Sequence, residues 1–287
     1  MANLKELRNR ITSVSSTMQI TSAMKMVSAA KLKRAQDAIT EMRPYAQKLE
    51  EILVNVSATL DASEGEYARK ADNVQKVLLV AISSNRGLAG AFNANIMKAV
   101  SNEVSANSNV EYTVFSIGKK VFEAAGRRGL NQIGERNSIY DDLTFENVSE
   151  IAEMLMEKFR KGEYDRIELV YNQFKNAAVQ RVQVEQFLPV REVEGGNSTS
   201  QTDYIYEPSK EEILEDLIPK SLKTQLFKAL LDSNASEHGA RMTAMHKATD
   251  NASDLRKQLK LSYNQARQAA ITNEILEIVG GAEALNG

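Results

Sequence analysis

The stretch from Glu237 to Val279 contains no proline and a single glycine, Gly239, so nothing in it forces a helix to stop. Steps of four and three from Ala248 reach Ala252, Leu255, Leu259, Ser262, Ala266 and Ala269, a heptad seam built largely of alanine. Ile271, Ile275, Ile278, Ala282 and Leu285 carry the spacing toward the terminus with bulkier side chains. Small seam residues let two helix backbones approach closely, so this helix requires a long partner alongside. At about 1.5 Å per residue, some fifty residues make a rod of roughly 75 Å, longer than a domain of this size is wide. The rod is expected to protrude from whatever the rest of the chain builds.

The partner is at the other end of the sequence. Leu4, Leu7, Ile11, Val14 and Met18 repeat at three and four, and Ala23, Met24, Met26, Val27, Ala29 and Ala30 widen the stripe with small and flexible residues. This pattern predicts a helix from Asn3 to Ser57, capped by Asn3 or Ser13, with a bend or short break near Arg43 where Pro44 removes a backbone donor. Two terminal helices of matching period most simply form a long antiparallel coiled coil.

The middle of the chain reads differently. Val77 to Ile82 (VLLVAI) is a short apolar run suited to a buried strand, and Val110 to Ile117 is a second strand. Ala91 to Val104 is helical, Lys119 to Ala125 is a helix ended by Gly126, and residues 131–142 have room for a short third strand. Phe145 to Arg160 is amphipathic, with Val148, Ile151, Ala152, Leu155 and Phe159 on one side. Arg166 to Phe174 and Gln180 to Phe187 are strands, the last alternating strictly. The fold class is therefore α/β: the coiled coil of the N- and C-terminal helices plus a central Rossmann-like domain, its sheet mostly parallel with an antiparallel edge. The boundaries are an N-terminal shaft helix over 1–60, the α/β domain over 74–190, a flexible loop and following segment over 191–208, and a C-terminal shaft helix over 209–287, in which Pro219 tolerates a kink.

Composition narrows the chemistry. The chain has no cysteine, which removes disulfides, thiol catalysis and cysteine-ligated metal together. Two histidines, His238 and His246, cannot anchor a zinc site by themselves and read as ordinary surface or seam residues. No apolar run reaches the roughly eighteen residues of a spanning helix. The start, MANLKELRNR, has neither an apolar signal core nor a long basic presequence, so the chain is expected to stay in the cytoplasm. Net charge is −2, but residues 1–36 carry seven basic side chains against Glu6 alone, and residues 237–271 are also net basic. A basic rod on an acidic body fits an acidic partner, either nucleic acid or an acidic protein surface, and a solvated face explains the charges as well.

Ser83 to Asn93, SSNRGLAGAFN, follows a strand and opens a helix, where α/β proteins hold phosphates. It is not GxGxxG, no GxxxxGK[ST] occurs, and glycines 87 and 90 are equally explained by a tight turn. Gly118-Lys119-Lys120 lacks the upstream glycine of a P-loop, and Asp141 with Asp142 sits in a polar turn rather than an apolar pocket. The expectation is no catalytic residue, no cofactor and no metal.

LRNRITSVSSTMQITSAMKMVSAAKLKRAQ near the N-terminus, the central SNRGLAGAFN, and ARMTAMHKATDNA with LSYNQARQAAITNEILEIVGGA near the C-terminus resemble the γ subunit of F-type ATP synthases. The resemblance runs end to end. It implies a non-catalytic rotor that couples proton flow to ATP synthesis from ADP and phosphate. Its implied partners are the α and β subunits of the catalytic head, the ε subunit and the c-ring, at the cytoplasmic face of the bacterial inner membrane, without nucleic acid and without a transmembrane segment. Met24, Lys25 and Arg241 resemble the neck, where the rotor meets the moving domains of the β subunits. Arg256, Gln268, Thr272, Ile275 and Val279 fall on the part of the shaft facing the head, and Gly280 to Leu285 resemble its tip. Tyr204, Tyr206 and Glu207, in DYIYEP, resemble the foot facing the c-ring. The chain departs from the family at Asn85 and Ala89, where Asp and Cys are frequent, and Gly195 to Thr202 is too short and cysteine-free for the thiol-regulated insertion of the chloroplast form. The competing reading is a coiled-coil adaptor or nucleic-acid-binding protein using the basic rod.

Overall fold

The computed structural model describes residues 4–57, 66–67, 69, 73–107, 109–190 and 210–286. They fall into two compact units, Ala29–Arg241 and a second built from the terminal segments Met1–Ser28 and Met242–Gly287. Helix α1 (Leu4–Ser57) and helix α5 (Lys210–Asn286) each contribute to both.

In the larger unit, β1 (Lys76–Ile82), β2 (Glu111–Ile117), β3 (Asn131–Glu135), β4 (Arg166–Phe174) and β5 (Gln180–Leu188) form one sheet in the order β3-β2-β1-β4-β5. All neighbours are parallel except β5, which runs antiparallel to β4. The apolar run of β1 is buried on both faces because it lies in the middle of the sheet. Leu78, Val80 and Ile82 meet a layer that includes Leu155 and Phe159 of α4 (Phe145–Arg160) and Leu222, Leu226 and Leu230 of α5. Val77, Leu79 and Ala81 meet the opposite layer, formed by α2 (Phe92–Ala106) and α3 (Lys119–Arg127) through Ile96, Val100, Val121 and Ala125. The period-two alternation of the strand thus becomes two separate cores. The predicted apolar stripe of α4 is wholly buried, and Thr144 caps the helix by accepting from the Asn147 amide at 3.3 Å.

Two punctuation marks act differently from the sequence reading. Gly126 lies inside α3, which runs to Arg127 and is closed two residues later by Gly129, whose φ of +68° lets Leu130 donate to the Ala125 carbonyl at 3.1 Å. Pro44 does not break α1: the helix continues through it, with Pro44 exposed between the buried Ile39 and Leu49. One missing donor on the solvent side is tolerated where apolar packing on the other side holds both flanking turns. Ser13 lies within α1 and caps nothing, while Asn3 is outside the described residues.

In the smaller unit α1 and α5 pair antiparallel. The hydroxyls of Thr21 and Thr249 meet at 2.8 Å. On α1 the inward positions are Leu4, Leu7, Ile11, Val14, Met18, Thr21, Lys25 and Ser28, an unbroken heptad alternation. On α5 they are Met245, Thr249, Ala252, Arg256, Leu259, Tyr263 and Ala266, and every residue from Arg267 to Ala282 is exposed. With Thr21 opposite Thr249, Leu4, the first described residue of α1, comes level with Ala266.

That register corrects the predicted seam. Ala252, Leu259 and Ala266 hold, but Thr249, Arg256 and Tyr263 replace Ala248, Leu255 and Ser262 as the alternating members, and Leu255 is exposed. Apolarity alone selects Leu255. The partner's stripe selects the face, and Arg256 and Tyr263 accommodate it with long side chains whose stems are apolar. On α1, likewise, Met26 and Val27 are exposed while the polar Thr21 and Ser28 are buried. Ser28 remains satisfied by donating to the Met24 carbonyl at 2.8 Å.

Candidate functional site

The strand order reverses direction at β1, so the loop that leaves β1 lies at the topological switch point of the sheet, the usual ligand crevice of an open α/β fold. On the β2 side of β1 this loop engages the N-terminus of α3. At the start of α3 the Val121 amide donates to Ser83 Oγ (3.0 Å), the Lys119 amide to Asn85 Oδ1 (3.1 Å) and the Lys120 amide to the Ser84 carbonyl (3.1 Å). These are the donors that a phosphate would need. Gly118 has φ +105°, and a Cβ there would lie 2.1 Å from the Ser83 carbonyl oxygen, so the glycine serves close strand-to-helix packing. Asn93 ties the loop to α2 by accepting from the Ser84 amide at 3.0 Å, and the Tyr140 hydroxyl donates to the Ser83 carbonyl at 2.8 Å. Burial raises the pKa of Tyr140, with Glu237 adding to the shift, so the phenol stays a protonated donor.

The outer part of the loop rests on α5. Ala89 and Phe92 pack against Ala240. Ser236 Oγ donates to the Asn172 carbonyl at 2.9 Å. Arg241 is 8% exposed, and its guanidinium donates both to the Gly87 carbonyl and to Glu237 Oε1, the latter at 2.5 Å. Between these anchors Leu88 holds a left-handed backbone (φ 64°) with its side chain 66% exposed, and Arg86 is exposed beside it. Sequence reasoning read the glycines as the turn but missed Leu88 and the bridge to Arg241; no local motif joins residues so far apart in the chain.

Of the residues singled out on the shaft, Met24, Lys25 and Arg256 are half-buried, the last two at inward seam positions. Arg241, grouped with Met24 and Lys25 by resemblance, is engaged within its own chain. Gln268, Thr272, Ile275 and Val279 are exposed, and Thr272 Oγ1 turns back to donate to the Gln268 carbonyl at 2.9 Å. Leu261, Ile271, Leu276 and Ile278 are exposed as well, and with Ile275 and Val279 they give this end of α5 one broad exposed apolar face. Tyr204, Tyr206 and Glu207 lie outside the described residues, as does the 195–202 loop. Among the described residues no group of three or more His, Cys, Asp or Glu could hold a metal ion. A groove of about 560 Å³ lined by Arg136, Ser138, Asn147, Glu150 and Met154 brings together one arginine, one hydroxyl and one carboxylate.

A family model described as ATP synthase matches residues 3–285. A Flavobacterium psychrophilum protein named ATP synthase gamma chain is 66% identical over 287 residues, covering 100% of both chains. A Flavobacterium johnsoniae protein of the same name is 67% identical over 287 residues, again covering 100% of each. Among solved structures, a chain of the Tetrahymena thermophila mitochondrial ATP synthase central stalk and c-ring matches with TM-score 0.59 and 25% identity, over 80% of this chain and 99% of that one. A chain of the Euglena gracilis mitochondrial ATP synthase in rotational state 3 matches in fold with TM-score 0.69 and 21% identity, over 98% of this chain and 94% of that one.

Proposed function

We propose a mechanism on one premise: the chain belongs to the ATP synthase gamma chain family and is a central-stalk rotor subunit. In this reading it does no bond chemistry itself; it transmits torque between the proton-driven c-ring and the catalytic head by presenting asymmetric faces to successive sites. The observation that carries the reading is α5 beyond Ala266, where Ile271, Ile275, Leu276, Ile278 and Val279 stand exposed with no companion helix among the described residues. A lone helix with a broad exposed apolar face is marginal in water and calls for an apolar sleeve to cover it. Gln268, Thr272, Ile275 and Val279 would turn in that sleeve, Met24, Lys25 and Arg256 would face the head lower down, and Arg241 would support the neck from within.

A sleeve formed by the α and β subunits suits this surface. A polyanion does not, because the exposed end is apolar rather than basic. The segments then divide as shaft (1–60 and 209–287), α/β domain (74–190) and foot (191–208), with Tyr204, Tyr206 and Glu207 set against the c-ring and ε as a further neighbour. No helix among the described residues is long and apolar enough to cross a membrane; attachment to the cytoplasmic face of the bacterial inner membrane would come through the c-ring. Each proton crossing about 100 mV supplies roughly 2.3 kcal/mol, and several such steps must accumulate per ATP. A two-stranded rod with continuous i to i−4 hydrogen bonds can bear that load without local melting. The test is affinity purification of the tagged chain from detergent-solubilised membranes. Recovery in one particle with ATPase activity is expected. Recovery as a free protein that binds polyanions with a steep salt dependence would favour the adaptor reading instead.

A further inference from the structure

We propose that Arg241 is a positioning residue: with Glu237 and the Gly87 carbonyl it forms a clamp that fixes the loop after β1 on α5, so that load on the loop passes directly into the long helix. The proposal rests on the rotor reading for what the load is, and on geometry for the clamp. Glu237 and Arg241 stand one helical turn apart, with side chains 13% and 10% exposed. An exposed ion pair would contribute little, but a shielded, charge-assisted one is strong and costly to open. Its free N–H reaches across to the loop at the residue before Leu88.

Leu88 needs that restraint. A non-glycine residue in the left-handed region is uncommon and persists where its surroundings over-determine it. Its own side chain projects outward, so the restraint comes from the flanks: the clamped Gly87 carbonyl on one side, and on the other Ala89, buried against Ala240. The inner end of the loop is fixed independently, by Tyr140 on the Ser83 carbonyl. Ser84 Oγ donates to the Arg86 carbonyl at 2.6 Å, so the part of the outer loop left for Arg241 to hold is the Gly87 carbonyl, directly before Leu88. A planar fork can serve the carboxylate and the carbonyl together; a lysine ammonium at the same place keeps the charge but not the two fixed directions.

The experiment uses the assembled complex carrying R241K or the double variant R241M/E237Q, which leaves no buried charge without a partner. Hydrogen exchange should show the Phe92 amide, which donates to the Ala89 carbonyl at 3.2 Å and so reports on the outer loop, opening roughly tenfold or more faster in the double variant, as expected for loss of a charge-assisted hydrogen bond, with β1 and the flanking turns of α5 still protected. Protons pumped per ATP hydrolysed should fall in the double variant and recover partly in R241K. A merely structural role would lower the melting temperature and leave that ratio unchanged. Wild-type protection of the Phe92 amide in the double variant overturns the clamp, and an opened loop with an undiminished pumping ratio overturns its role in load transfer. If the wild-type chain fails to assemble with an ATPase, the rotor reading fails, while exchange on the free chain still reports on the clamp.

Discussion

His238 sits on α5 with Nδ1 sealed from solvent and without a hydrogen-bond partner. Burial, with Lys31 and Arg241 adding repulsion, pushes its pKa down from 6.5 to about 4. The unfolded chain therefore takes up a proton in the window where the folded chain refuses it. Stability is full above pH 6.5 and declines as pH falls toward 4, by roughly 3 kcal/mol at most. His238→Gln should flatten urea-unfolding free energies across that window; an unchanged slope would assign the acid sensitivity to another group. Asp232 is the opposite case. It is 3% exposed with Oδ1 unpartnered, and burial raises its pKa, with Glu185 adding, against the pull of Lys228, the Phe174 amide and Arg43. A raised carboxylate pKa gives stability at low pH that is lost as pH rises through the folded value. Asp232→Asn should thus gain melting temperature over the wild type increasingly from pH 4 to pH 8, and a constant difference would show that the carboxylate is not the cause. Neither behaviour was legible in the sequence: two histidines on a helix look alike until burial separates His238 from the exposed His246.

At the scale of elements, legibility followed how much of the signal was local. The ends of α4 and β4 match the predicted residues, because each carries its own period and its own turn chemistry. The coiled-coil seam did not, since the face of α5 that turns inward is chosen by α1, more than two hundred residues away in the chain. Gly239 shows the same dependence. On sequence it is only the one weak point in a long helix; in the fold, a Cβ there would lie 3.2 Å from Ala177 Cα and 3.3 Å from its carbonyl oxygen, in the turn between β4 and β5. Gly239→Ala should be close to neutral, because about 1 kcal/mol of helix propensity opposes that tight contact. Gly239→Leu has no such balance and should cost about 2 kcal/mol through overpacking. Denaturant unfolding of the pair decides the matter: a leucine variant as stable as wild type would mean that the hairpin turn yields freely.

For the whole molecule the informative change is Ala266→Pro. Ala266 is the last half-buried seam position on α5, level with the start of α1, and all that follows through Ala282 is exposed. Proline there removes the amide that would bond the Ser262 carbonyl and clashes with the same carbonyl, at a cost of about 3 kcal/mol or more, relieved as a kink. The cost falls in the unit built from Met1–Ser28 and Met242–Gly287. The sheet, its two cores and the loop after β1 all belong to Ala29–Arg241 and make no use of Ala266, so that unit should melt as in the wild type. If the long helices served only to brace the α/β domain, a kink beyond the last seam position would matter to nothing else, and ATP-driven proton pumping in membrane vesicles would be normal. If the end of α5 is the part that turns within a sleeve, the kink misaligns its axis just where it loses the support of α1. Pumping should then fall while ATP turnover continues, because the catalytic sites no longer sense the shaft. Thermal unfolding of the free chain and pumping by the assembled complex, measured on the same variant, separate the two: preserved melting with lost pumping is expected, and preserved pumping would sink the rotor assignment of this segment.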